Sequence, residues 1–140
     1  MKRMLIGLGN PFRSDDAAGL EVADRVRTIE AHRVMFGSYE LIDLWEEADE
    51  VIIVDATRTG SPPGTVRQFD PLRAPLPLGT FTSTHAVGVA ETIELARALR
   101  RLPASLVVYG IEAGDLTSGT ALSPEVEEAV ATVTREIDDA

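Results

Sequence analysis

The sequence predicts an α/β fold: a three-layer sandwich in which a mostly parallel, open sheet of about five strands carries helices on both faces. Short apolar runs alternate along the chain with segments of helical spacing, and this order calls for a parallel sheet. Two runs, Val51–Val54 and Leu106–Ile111, are continuously apolar, as strands buried on both faces are. The first run ends in glycines, which is typical of a strand that turns into a helix at the carboxyl edge of a sheet.

The first half of the chain contains three predicted strands and two predicted helices. The strands are expected at Met4–Leu8, Val34–Phe36 and Val51–Val54, and the helices at Asp16–Arg27 and from Ser38 onward. Apolar residues repeat at helical spacing in both helices, as Ala18, Val22 and Val26 in the first and as Leu41, Leu44, Trp45 and Ala48 in the second. Serine and aspartate are good helix caps, so Ser38 can cap the second helix and Ser14 or Asp15 the first.

The second half predicts an edge strand, a loop, two helices and one central strand. In order, these are the alternating strand Thr65–Phe69, the proline-rich loop Asp70–Ser83, the helix Ala86–Arg100, the strand Leu106–Ile111 and the loop Glu112–Leu122. Ser123 as cap and Pro124 in the first turn then begin the last helix. Its expected core face carries Val126, Val130, Val133 and Ile137.

Composition limits the classes of protein to consider. The 140 residues predict a single domain spanning 1–140. A net charge of −10 argues against nucleic acid and against an anionic membrane surface as partners. No apolar run is long enough to cross a bilayer and no export signal is recognisable, so we expect a cytoplasmic protein. The chain has no cysteine, which excludes disulfides, thiolate metal sites and a cysteine nucleophile.

The stretch GLGNPFRSDDAAG, residues 7–19, is the centre of the functional argument. Gly7 and Gly9 allow a tight turn or the close approach of a ligand, and Asn10 favours a turn. Asp15 and Asp16 then place two carboxylates in the first turn of a helix, where the helix dipole favours negative charge. One carboxylate would satisfy that preference, so the second points to chemistry.

Three residues from distant parts of the chain are expected at the same edge of the sheet. Asp16 follows the first strand, Asp55 ends the third, and His85 lies where a loop enters a helix. Ligands bind at this edge in open α/β sheets. Two carboxylates and one imidazole suit nickel, zinc, iron or manganese, and near neutral pH we expect them to bind without unusual pKa shifts. The structural alternatives are a helix-end charge for Asp16, a strand-end turn residue for Asp55 and, for His85, a structural histidine capped by Ser83 or Thr84.

Two other interpretations of the glycine-rich turn fail on the residues that follow it. A dinucleotide-binding turn needs a third glycine where Phe12 stands. The opening GLGNP also resembles peptidyl-tRNA hydrolases, but those enzymes carry a catalytic histidine shortly after the turn. Here SDDAAG occupies that place, and the acidic charge of the chain suits tRNA poorly.

Several motifs in the right order make the chain resemble the hydrogenase maturation endopeptidases over nearly its whole length. The matching segments are GLGNPFRSDDAAG, VIIVDA at 51–56, the following PGTVRQF, STHAVG at 83–88, YGIEAGD and GTALSPEV. These endopeptidases remove a C-terminal extension from the nickel-loaded large subunit of nickel–iron hydrogenases. The resemblance implies a phosphorylase/hydrolase-like version of the fold and a hydrogenase large-subunit precursor as partner.

The resemblance also implies roles for the residues of the site. It assigns metal contact and catalysis to Asp16, Asp55 and His85, with the nickel supplied in the precursor rather than held as a resident cofactor. The nickel would then polarise the scissile carbonyl or supply the nucleophile, as metal centres do. Gly7, Gly9 and Asn10 would shape the loop that holds the substrate tail.

One segment departs from the family pattern and keeps a second function open. Many members carry an Asp-Gly-Gly-Thr-like turn before the second helix, where this chain has Arg33–Phe36. The alternative function is therefore a non-catalytic, metal-linked checkpoint or chaperone protein that binds the same precursor without cutting it.

Overall fold

A computed structural model of the chain describes residues 1–35, 39–77, 79–82 and 88–140. Its strands are β1 (Arg3–Leu8), β2 (Glu30–Val34), β3 (Glu50–Thr57), β4 (Val66–Phe69) and β5 (Ser105–Glu112). Its α-helices are α1 (Ala18–Arg25), α2 (Glu40–Trp45), α3 (Val89–Ala98) and α4 (Pro124–Asp139). A single 3₁₀ turn, Ser14–Ala17, precedes α1.

The strands form one sheet in the order β2-β1-β3-β5-β4. The pairs β2–β1, β1–β3 and β3–β5 are parallel, and β4 pairs antiparallel with β5 at the edge. This confirms the predicted mostly parallel sheet and its edge strand. The register pairs Gly7 with Val54 and Asp55 with Gly110, so the first loop and the ends of the two central strands meet at the carboxyl edge.

Helices cover both faces of the sheet, which confirms the three-layer arrangement. On one face α2 and α3 pack against the strands through a core that includes Ile6, Leu41, Ile53, Ile93 and Val108. On the other face α1 and α4 pack through a core that includes Leu5, Val22, Val54, Ile111 and Val130. Alternate residues of each central strand point to opposite cores, which explains why these strands are apolar at nearly every position. Among the described residues, no helix has both the length and the apolar character needed to cross a bilayer.

The second strand lies earlier in the chain than predicted. Val34–Phe36 was expected to be the strand, but the observed strand β2 begins at Glu30 and ends at Val34; Phe36 lies outside the described residues. The reason is pairing: β1 aligns residue by residue with β2, from Met4 opposite Glu30 to Leu8 opposite Val34. Because β2 is a half-exposed edge strand, its sequence is largely polar and contains no apolar run that would predict a strand.

The helix caps also differ from those expected. Pro124 does begin the last helix, but Ser123 makes no side-chain capping bond to it. Neither Ser14 nor Asp15 caps the first turn. Both side chains bond instead to the loop between β5 and α4, which lies 99 to 108 residues further along the chain. The expected cap Ser38 lies outside the described residues.

Candidate functional site

The glycines of the first loop let the turn carrying Asp16 pack directly on β1. Gly9 has φ = 154°, and a Cβ atom there would lie 2.0 Å from the carbonyl oxygen of Asp16. Gly7 is buried within β1, where a Cβ atom would lie 2.1 Å from the carbonyl oxygen of Gly19 in α1. Both separations are far inside van der Waals contact, so only glycine fits. The two glycines therefore fix the position of Asp16 relative to the sheet.

The two neighbouring acids of this loop have different surroundings. Asp15 is fully buried, and its carboxylate accepts hydrogen bonds from the backbone N–H groups of Gly114 and Asp115, both at 2.8 Å. It also accepts bonds at 2.7 Å from the backbone N–H and the hydroxyl of Ser123. Asp15 thus holds the first loop against the loop between β5 and α4, which is a structural role.

Asp16 faces the end of β3 instead. Its side chain is 5% exposed, and the Thr82 hydroxyl donates a hydrogen bond to Oδ1. Nη1 of Arg13 lies 3.7 Å from Oδ2, which is an ion-pair distance rather than a hydrogen bond. The carboxylate is therefore held at one oxygen and faces a positive charge at the other.

Asp55 lies within β3, two residues before the strand ends, and is buried. Two causes raise the pKa of Asp55 to about 8: burial, which is the larger, and the nearby charge of Asp16. The backbone N–H of Ala56 donates a bond of 2.8 Å to Oδ1, which lowers the pKa but offsets only part of the rise. The predicted neighbourhood of Asp16 and Asp55 is thus present, and the two carboxylates repel each other.

The expectation of ordinary ionisation was wrong for Asp55. We expected all the ligands to be ready for metal near neutral pH, but a carboxyl group with a pKa of about 8 retains its proton there. The reason is that burial removes the water that would solvate the charge, while Asp16 adds a second negative charge. A cation between the two carboxylates would offset the repulsion between them and favour the charged form of Asp55.

The third predicted ligand, His85, lies outside the described residues. The segment before it is attached to β3: the backbone N–H of Thr82 donates to the carbonyl of Ala56 at 3.1 Å, and that of Arg58 to the carbonyl of Thr80 at 2.9 Å. Within the described part of the chain, no three histidine or acidic side chains form a group that could hold a metal ion. The structure thus brings together Asp16 and Asp55, and the role of His85 stays a prediction.

The loop predicted to hold a substrate tail borders a cleft of about 460 Å³. Oδ1 of Asn10 accepts a bond of 2.9 Å from the backbone N–H of Phe12, which confirms the turn. Phe12 is 68% exposed and lines the cleft together with Pro11, Ala17 and Leu122. Gly7 lies too deep within β1 for direct contact with a ligand, so its contribution to this loop is through packing.

Sequence reasoning missed two polar residues at this edge, Thr82 and Glu112. Thr82 carries no signal in the sequence, because a threonine in a proline-rich loop has no pattern that assigns it a partner. Glu112 does carry one: it follows an apolar run directly, as Asp55 does, but was placed in a loop rather than at the end of β5.

Glu112 is buried and well bonded. Its Oε1 accepts hydrogen bonds from the hydroxyls of Thr57 at 2.9 Å and Thr59 at 2.8 Å, and its Oε2 accepts one from the backbone N–H of Thr59 at 2.9 Å. Burial acts to raise the pKa of Glu112, but these bonds outweigh it and hold the pKa below its usual value.

Comparison with known proteins points in one direction. A family model described as "Hydrogenase maturation protease" matches residues 36–140. The chain is 27% identical over 139 residues to the hydrogenase expression/formation protein HupD of Thiocapsa roseopersicina, covering 91% of this chain and 62% of that protein. It is 28% identical to HupD of Bradyrhizobium diazoefficiens, covering 91% of this chain and 71% of that protein. The chain therefore spans between three fifths and three quarters of the length of these relatives.

Solved structures show the same fold. The hydrogenase maturating endopeptidase HybD from E. coli superposes with a TM-score of 0.84 at 22% identity, over 98% of this chain and 90% of that one. The [NiFe] hydrogenase maturation protease HybD from Thermococcus kodakarensis gives a TM-score of 0.76 at 25% identity, over 99% and 98% of the two chains. The likeness covers the whole sheet and both helical layers.

Proposed function

The chain belongs to the hydrogenase maturation protease family, and from this premise we propose that it is an endopeptidase acting on the nickel-loaded precursor of a nickel–iron hydrogenase large subunit. In this role it removes the C-terminal extension of the precursor. One observation carries the proposal: two buried carboxylates, Asp16 and Asp55, face each other at the carboxyl edge of the sheet, and the charge of one raises the pKa of the other. Such a pair is poised for a cation or a proton.

Nickel enters this reaction as part of the substrate. Asp16, Asp55 and His85 are the residues we propose to contact it, since carboxylate and imidazole ligands suit this metal. The structure gives one reason for the fit: a divalent cation would offset the repulsion between the two carboxylates. Because Asp55 retains a proton near neutral pH, contact with the cation would release that proton.

The chemistry is the addition of water across a peptide bond. A divalent cation polarises a carbonyl group or activates water toward attack. The protein supplies the carboxylates that orient the cation at a buried edge, where electrostatic interactions are stronger than in water. We place the substrate tail along the loop of Gly9 and Asn10, beside the cleft that Phe12 lines, with Gly7 supporting that loop from within β1.

The test is a mass measurement on purified large-subunit precursor. Incubation of nickel-loaded precursor with the wild-type protein should shorten it by the C-terminal peptide, and nickel-free precursor should stay intact. His85→Ala and Asp16→Asn proteins should leave the loaded precursor intact as well. His32→Ala is the matched control, because His32 lies on the edge strand β2 and contacts Glu30 at 2.9 Å, away from the proposed site.

Undiminished cleavage by His85→Ala and Asp16→Asn proteins would refute the assignment of these residues. The alternative, a non-catalytic checkpoint, is suggested by the departure from the family pattern at Arg33–Phe36. That function predicts a complex between this protein and the loaded precursor with no change in the mass of either partner. Co-elution of an intact precursor would therefore favour the checkpoint over the protease.

A further inference from the structure

Thr82 connects the segments that carry the two acids. Its backbone N–H donates to the carbonyl oxygen of Ala56, the residue after Asp55, at 3.1 Å. Its side-chain hydroxyl donates to Oδ1 of Asp16. An antiparallel bridge between Thr57 and Phe81 holds the same segment against the end of β3. Thr82 therefore bonds both to the strand that carries Asp55 and to the carboxylate of Asp16.

The other side of the Asp16 carboxylate faces Arg13. Nη1 of Arg13 lies 3.7 Å from Oδ2, and Nε donates to the carbonyl oxygen of Leu116 at 3.3 Å. The guanidinium is thus anchored to the loop between β5 and α4, and it attracts Oδ2 without forming a hydrogen bond to it. Among the described residues, the Thr82 hydroxyl is the group with the directionality to set the rotation of the carboxylate about its Cβ–Cγ bond.

We propose that Thr82 is a positioning residue for the reaction: its hydroxyl orients the carboxylate of Asp16 so that Oδ2 is presented toward the metal-bearing substrate. This inference rests on the proposed function of the site. Carboxylates that contact metals are commonly held in orientation by hydrogen bonds from residues behind them, and loss of such a partner costs about 10- to 100-fold in affinity or activity. Thr82 has the chemistry and the place for that role.

The test compares Thr82→Val, which keeps the shape and removes the hydroxyl, with Thr82→Ser, which keeps the hydroxyl. In the cleavage assay, Thr82→Val should lower kcat about 10-fold or more while the KM for the precursor changes less than about twofold. Thr82→Ser should restore most of kcat. Thr134→Val is the matched control, because the Thr134 hydroxyl also donates to an oxygen, the carbonyl of Val130 at 2.7 Å, but lies in α4.

A titration with Ni²⁺ alone gives a second readout that needs no precursor. Thr82→Val protein should bind Ni²⁺ about 10-fold more weakly than wild type, and Thr82→Ser should bind it nearly as well. Thermal melting separates this role from a purely structural one: a structural role predicts a lower midpoint for Thr82→Val with kcat and Ni²⁺ affinity unchanged in the folded fraction. That result would overturn the proposal.

The proposal and the function on which it rests fail differently. If wild-type protein does not shorten the loaded precursor, the proposed protease activity fails, and the Ni²⁺ titration still decides whether Thr82 orients Asp16. If wild-type protein cleaves and Thr82→Val cleaves with the same kcat and binds Ni²⁺ equally well, the positioning role fails and the protease activity stands.

Discussion

Glu112 ends β5, Asp55 lies two residues before the end of the neighbouring parallel strand β3, and each residue is 3% exposed. Burial acts on both carboxyl groups in the same direction, yet their pKa values move in opposite directions. The pKa of Asp55 rises to about 8, whereas that of Glu112 falls below its usual value. Two differences explain this. Asp55 lies deeper in the protein than Glu112, so burial raises its pKa more, and it faces the carboxylate of Asp16, whereas Glu112 accepts bonds from Thr57 and Thr59.

The comparison shows how to tell a structural buried acid from a functional one. A carboxylate surrounded by donors is stable as an anion and supports the fold. A carboxylate beside another acid is unstable as an anion until a proton or a cation joins it, and this instability costs folding free energy. Such arrangements cluster at functional sites, so we interpret Asp55 as the functional candidate and Glu112 as a structural acid.

The largest expected difference is in processing of the precursor. Asp55→Asn should lower the rate of cleavage at least about 100-fold, because it removes a residue proposed to contact the metal, and loss of a supporting partner alone costs up to about that factor. Glu112→Gln, the equivalent acid-to-amide change on the next strand, should keep most of the rate in its folded fraction. Mass spectrometry of the large subunit over time measures both. Equal rates for the two variants would remove the functional distinction between these acids.

The pH dependence of stability should also differ between the two acids. Above about pH 4 an unfolded Asp55 loses its proton, while the folded one retains it up to about pH 8. The folded state then binds more protons, so the free energy of unfolding falls as the pH rises through this window, on the order of a few kcal/mol. At about pH 8 the Asp55→Asn protein should therefore have a higher free energy of unfolding than the wild-type protein. At about pH 5 this difference should be smaller.

Urea unfolding of wild type and Asp55→Asn at a series of pH values measures this effect. Groups that do not interact with Asp55 titrate alike in both proteins, so the difference between the two curves reports Asp55 and its charge interaction with Asp16. A difference that does not grow with pH would show that Asp55 ionises normally in the folded protein. Glu112 acts in the opposite sense: its stabilising contribution is present above its unfolded pKa and is lost as the pH falls through its lowered folded pKa.

Glu112→Gln should lower the free energy of unfolding by about 2 kcal/mol at neutral pH. The amide nitrogen of glutamine would replace one oxygen acceptor and leave the Thr57 and Thr59 donors competing for the other. Urea unfolding gives the value, and Asp139→Asn at the exposed end of α4 is the matched acid-to-amide control. A change as small as that of the control would mean that these bonds add little to stability.

The smallest expected effect on the free energy of unfolding comes from removing a single hydrogen-bond donor, the Thr59 hydroxyl. Thr59→Ala removes the hydroxyl that donates to Oε1 of Glu112 at 2.8 Å and keeps the backbone N–H bond to Oε2. The loss of one bond to a charged group should cost about 1 kcal/mol and move the pKa of Glu112 upward. Unfolding experiments and NMR titration of the Glu112 carboxyl measure the two quantities. Ser61→Ala, which removes a hydroxyl that contacts Thr59 and not Glu112, is the control.

Most of the fold was predictable because local sequence patterns indicate most of its strands and helices. The central strands β3 and β5 are apolar at nearly every position, and apolar residues repeat at helical spacing along the core face of α4. These patterns were enough to predict the three elements from the sequence. Strand β2 was not predicted at its observed position. It is an edge strand held by backbone pairing to β1, and this pairing depends little on the polarity of its side chains. Strand bounds depend on partners that a local pattern does not contain.

The proximity of Asp16 and Asp55 was predictable from the sequence, but the electrostatics of the pair were not. Two acids after two strands indicate a shared edge, and the structure confirms that Asp16 and Asp55 are neighbours. The sequence could not separate Asp15 from Asp16, because the partners of Asp15 lie about 100 residues away in the chain. It also could not show the raised pKa of Asp55, since burial and charge neighbours are properties of the assembled fold.

The four hydrogen bonds that Asp15 accepts from residues 114–123 have a consequence for biosynthesis. Contacts between segments so distant in sequence form late, since the intervening chain must first be ordered. A ribosome that has synthesised only the residues before Gly114 presents a loop that still lacks these bonds. The loop that carries Asp15 and Asp16 is therefore anchored only after residues 114–123 have been synthesised.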